Sequence, residues 1–126
     1  MEHFFLETQD ALVDHWRMTP VAETEEKLNW DLLLEALEER IYELLRTNMQ
    51  KLYTAVYLLD ISERRFNTAM TLPTLKEKAH ALAECILLRE SEKIEMRKKY
   101  PAPSREYLED QDSATNGDSQ RKETTS

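Results

Sequence analysis

Between Trp30 and Leu59 the chain runs thirty residues without a glycine or a proline, and its apolar side chains recur at spacings of three and four. Trp30, Leu33, Leu34, Leu37, Ile41, Leu44, Leu45, Leu52, Ala55, Val56 and Leu59 then share one side of a helix. At about 1.5 Å per residue, an unbroken helix over this stretch is roughly 45 Å long. A rod of that length cannot stand alone in water. Its apolar seam requires cover from the rest of the chain or from a second copy.

The position midway along the seam where an apolar residue is due carries Asn48 instead. Two readings follow. The periodicity on both sides predicts a continuous helix in which a buried amide fixes register or oligomeric state. The rival is a break, because Thr47 and Gln50 have the spacing of a capping box. Upstream, Thr24 with Glu25 and Glu26, or else Asn29, caps the start of the rod.

On either side of the rod the punctuation is plain. Phe5, Leu12, Val13 and Trp16 fall near one side of a short N-terminal helix, which Thr19-Pro20 ends. Asp60 or Ser62 caps a short segment running to about Met70, in which Phe66 and Met70 share a face. Leu72-Pro73 is a turn, and Thr74 with Glu77 repeats the capping-box spacing. From there Leu75, Ala79, Leu82, Ile86 and Ile94 mark a second long helix, widened by Ala83 and Leu87. Arg97, Lys98 and Lys99 suit its last turn and Pro101 stops it.

One glycine and four prolines in 126 residues are too few for the turns of a β domain, so the class is all-α. The expected architecture is a helical bundle over residues 1–100: two long antiparallel helices, a short connecting helix and an N-terminal helix across them. Residues 101–126, rich in Ser, Thr, Asp, Glu and Gln, are expected to form a disordered polar tail. Two long helices carry more apolar face than one short helix covers, and a homodimer would cover the remainder.

The formal charge of −8 is uneven, with 12 acidic against 4 basic residues in the first fifty and 7 against 10 in the next fifty. An acidic chain is repelled by phosphate backbones, which weighs against nucleic acid as a partner. Arg64, Arg65 and the basic run at 97–99 are the places where that reading would have to act. No stretch has the length of a membrane span, no charged-then-apolar leader opens the chain, and Cys85 has no second cysteine. The expectation is a soluble cytoplasmic protein.

Candidate chemistry is sparse. Glu35, Glu39 and Glu43 form an acidic row at spacings of four, readable as metal ligands or a docking stripe, but more simply as a solvated face. His80 and Glu84, four apart, offer two ligands where a metal site needs more. Cys85 sits mid-helix beside Glu84 and reads as a small apolar filler, not a nucleophile. Tyr42, Tyr53 and Tyr57 flank the seam as a wet boundary of the core. With Gly117 the sole glycine, there is no phosphate cradle and no nucleophile elbow. No cofactor is implied. The expected role is a small protein-interaction or structural module that self-associates, and the alternative is a metal-binding or enzymatic bundle using Glu35, Glu39, His80 or Glu84.

At Leu52-Tyr53, at Leu58-Leu59-Asp60-Ile61-Ser62-Glu63, at Leu72-Pro73 and over Ala83 to Lys93, the chain resembles small uncharacterised helical proteins of bacteria. The resemblance covers about half the sequence. It implies a bacterial origin and carries no activity.

Overall fold

Four helix starts are written by the same device, a side-chain oxygen accepting from the backbone N–H three residues on. Asn29 Oδ1 accepts from Leu32 (2.9 Å), Asn48 Oδ1 from Lys51 (3.1 Å), Ser62 Oγ from Arg65 (3.1 Å) and Thr74 Oγ1 from Glu77 (3.1 Å). In this computed structural model, which describes residues 4–100, they open four of five α-helices. These are α1 (Phe5–Trp16), α2 (Trp30–Thr47), α3 (Met49–Leu58), α4 (Glu63–Met70) and α5 (Leu75–Lys99), with one 3₁₀ turn at Glu25–Lys27. Among the described residues there is no strand, so the chain is all-α. The tail expected at 101–126 lies outside the described residues, as does His3.

The continuous rod expected from Trp30 to Leu59 is two helices. Asn48 ends α2, its N–H donating to Leu44 O, and begins α3, with extended φ of −155° and its side chain capping Lys51. The residue was expected as a buried amide and is instead exposed. An asparagine at a wet position loses nothing by leaving helical geometry, because its amide replaces the backbone acceptor it gives up. The capping-box alternative also named the wrong residue, since Thr47 Oγ1 donates backward to Glu43 O. The apolar face survives the break, with Leu44 and Leu45 buried before it and Leu52 and Val56 after it.

The N-terminal helix ends before Thr19-Pro20. Arg17 adopts a left-handed conformation (φ 57°) and returns its N–H to Val13 O, and Arg40 Nε donates to Trp16 O at 2.7 Å. The start of α1 is closed from a distance. Of the two starts the sequence offers for the rod, Asn29 is the cap, and Glu25 of the other accepts from Phe5 N (2.8 Å) and Leu6 N (2.9 Å) with its two carboxylate oxygens. That places a negative charge on the positive end of the helix dipole. Gln9, buried in α1, donates to Ala22 O and accepts from Val21 N, which fastens the connection to α2 along the helix it follows.

Up to Met96 the described residues form one compact unit. Its core is a single cluster containing Leu12 and Trp16 of α1, Leu33, Leu37 and Ile41 of α2, Leu52 and Val56 of α3, Phe66 of α4, and Leu82, Ala83, Ile86 and Leu87 of α5. Each fully buried Leu or Ile side chain contributes about 1.5–3 kcal/mol. Polar links hold α5 to its neighbours: Glu38 of α2 meets His80, and Arg89 Nε donates to Leu59 O after the end of α3.

Candidate functional site

The seam residues are spent inside the chain. Leu33, Leu37, Ile41, Leu44, Leu45, Leu52, Val56 and Leu59 are buried among its own helices, Trp30 and Leu34 are half-buried, and Asn48 faces solvent. What the chain leaves uncovered lies on the other side of α3. Tyr53, Tyr57 and Leu58 are 50%, 81% and 71% exposed.

Their positions follow from helical geometry. Leu52, Val56 and Leu59 point inward, so Tyr53 and Tyr57, one residue further round, emerge at the edge of the buried face. Leu58 points out from the last turn. The Tyr53 ring rests on Phe66 of α4, centroids 5.0 Å apart and tilted by 48°, an arrangement aromatic pairs favour. The chain then turns through Asp60, whose φ of 64° is left-handed, before Ser62 caps α4. Between α3 and α4 this leaves a groove of about 710 Å³ lined by Tyr53, Tyr57, Leu58, Ile61, Glu63 and Phe66. Nothing in it is a nucleophile paired with a base.

The most unusual buried group is Glu90 of α5, which is 2% exposed. Its Oε2 accepts from Trp16 Nε1 at 3.0 Å and lies 2.9 Å from His15 Nδ1. Because an indole can only donate and a carboxylate has room for two donors on one oxygen, both rings are oriented by this acid. Nε2 of the half-exposed His15 is 3.9 Å from Asp14, and a cleft of about 520 Å³ beside it is bordered by Lys51, Leu58, Leu59 and Lys93. The arrangement fixes the end of α1 on α5. No hydroxyl or thiol stands within reach of His15 among the described hydrogen bonds, so no nucleophile completes a catalytic set.

His80 joins Glu84 as the sequence suggested, with Nε2 3.5 Å from Oε2, and adds Glu38 at 3.0 Å from Nδ1. The carboxylates sit on opposite ring nitrogens. They cannot converge on one ion with His80, and among the described residues no three His, Cys, Asp or Glu side chains do so. Glu35, Glu39 and Glu43 are exposed, and Glu43 pairs with Arg40. Cys85 is half-buried, and burial pushes its thiol above the usual range, with the Arg65 charge opposing. Tyr42 carries the Arg46 guanidinium over its ring at 5.6 Å. No helix of the described residues is long and apolar enough to cross a membrane.

The hydrogen bond from His80 to Glu38 holds its pKa above the ordinary value, the charges of Glu84 and Glu38 add to this, and partial burial opposes it. A raised folded-state pKa means a stabilising contribution that is complete below about 6.5, the unfolded value, and lost as pH rises through the folded one. Melting curves of the protein and of His80→Gln should therefore differ more at about pH 5.5 than at about pH 8.5. The difference will be small because the ring is half-exposed, and an equal difference at both values would contradict the link.

In the sequence Tyr53 and Tyr57 have the spacing of a core boundary, and no periodic signal marks Leu58 as exposed. Glu90 was missed although it left a trace. Along α5 the buried positions run 79, 82, 83, 86, 87, 90 and 94, and a glutamate in that series announces a buried acid. Comparison with protein-family models, with curated proteins and with solved structures finds no match to this chain.

Proposed function

We propose that this protein is a cytoplasmic interaction module that works by contact and self-associates through the outer face of α3. The observation that supports the reading is the pair Tyr57 and Leu58, 81% and 71% exposed at the mouth of an aromatic-lined groove. Large apolar and aromatic side chains grouped on a surface are what partner binding uses, and exposed without a partner they favour association. The seam is satisfied within one chain, so the self-association inferred from helix length alone moves to this second face.

Sedimentation equilibrium over a range of concentrations tests it. The unaltered protein should pass from one chain mass toward two as concentration rises. Tyr57→Ser/Leu58→Ser should remain at one chain mass with its melting curve unchanged. A protein that stays monomeric throughout, or a double variant that associates as well as the original, would overturn the proposal.

A further inference from the structure

We infer that the partner on the α3 face is a second copy docked about a two-fold axis, so that Lys51 of each subunit meets Glu63 of the partner subunit around a centre of Tyr53, Tyr57 and Leu58. This rests on the self-association proposed above and adds the arrangement that makes it specific.

The charges around the face carry the argument. Arg40 pairs with Glu43, and Arg89 lies between Asp60 at 3.7 Å and Glu92 at 3.8 Å. Lys51 and Glu63 are both exposed, and among the described residues the side chain of neither makes an ion pair or hydrogen bond. Lys51 stands in the first turn of α3 beside the cleft that Leu58 also lines, and Glu63 begins α4 on the rim of the groove shared with Tyr53 and Tyr57. Leu58 lines both hollows, so the exposed apolar side chains of α3 join the cleft that holds the free cation to the groove that holds the free anion.

In a two-fold contact the same patch meets itself, so that whatever residue i touches on residue j is touched in return. A patch bearing one sign of charge would repel its copy. One with opposite charges on its two sides is its own complement, and a two-fold axis between them forms the pair twice. A uniformly acidic or basic partner would match one side and clash with the other. Of the other charged groups lining the two hollows, Asp60 stands with Glu63 in the groove and Lys93 with Lys51 in the cleft, where Asp14 and Arg17 offset each other, so each side keeps its sign. Gln50, Thr54, Ser62 and Asn67 are uncharged. Tyr53 is also held by its contact with Phe66, which lowers the entropy lost on docking. Three large apolar residues a side are far fewer than the roughly 20–30 residues of a standard interface, so the dimer is weak and depends on concentration.

Sedimentation equilibrium on the full chain with Lys51→Glu, Glu63→Lys and the double exchange tests the arrangement. Each single reversal sets two like-charged pairs across the dimer and should weaken association about tenfold. The double exchange should restore it, and salt should weaken association of the unaltered protein more than that of the singles. Both positions are exposed, so melting curves should be unchanged. If the singles associate as the unaltered protein does, or the double is no better than either single, this arrangement is wrong while self-association stands. If the unaltered protein is monomeric throughout, the self-association falls with it.

Discussion

Leu37→Asp is expected to leave the chain without its helical circular-dichroism signal at room temperature. Leu37 is 0% exposed at the middle of α2 and belongs to the one cluster in which all five helices share. An aspartate there loses the leucine's burial and adds a carboxylate with no donor in range, or a neutral acid formed at the expense of a large pKa shift. Substitutions of this kind exceed about 4–5 kcal/mol, and a domain of this size has about 5–15 kcal/mol in total. A variant that melts like the unaltered protein would mean that Leu37 is not core. Leu37→Ala, which removes volume without adding charge, should cost about 2–5 kcal/mol and keep the fold.

Glu90→Ala should be the next most damaging change. It leaves the Trp16 indole N–H buried without an acceptor and opens a void where α1 meets α5. Breaking a buried polar pair costs about 3–5 kcal/mol, which in a domain of about a hundred residues lowers Tm by more than about 10 °C. Glu90→Gln keeps the shape and an oxygen to accept from Trp16, so it should recover most of the loss. Equal melting of the two variants would show that neither the shape nor a neutral acceptor suffices and that the carboxylate charge is what Glu90 supplies.

These two residues mark the boundary of what the sequence discloses. Leu37 is legible because helical periodicity is a local signal, and four of the five helices begin at residues whose capping chemistry is equally local. Asn48 was seen as the exception in the seam, but burial and capping are opposite fates for one amide, and only the path of the chain around it decides between them. Glu25 has the local look of a first-turn acid, one of the two helix starts the sequence offers there, and instead closes a helix that begins twenty residues earlier. Glu90 needs Trp16 and His15 from 74 and 75 positions away. Such pairings exist only after the helices have met. The exposed side of α3 was hidden for a different reason, since aromatic residues at a helix boundary look the same whether their rings finish a core or stand clear of it.

The fastening of α1 has a bearing on the order in which the chain can acquire its structure. A twelve-residue helix is marginal in isolation, and here both of its tips are completed by side chains that come later, Glu25 at one end and Arg40 at the other. Synthesis runs from α1 toward α2, so this helix leaves the ribosome before either of those side chains. It has to wait, unfinished, until Arg40 has followed Trp16 by 24 positions, so a helix made earlier is secured only together with one made after it.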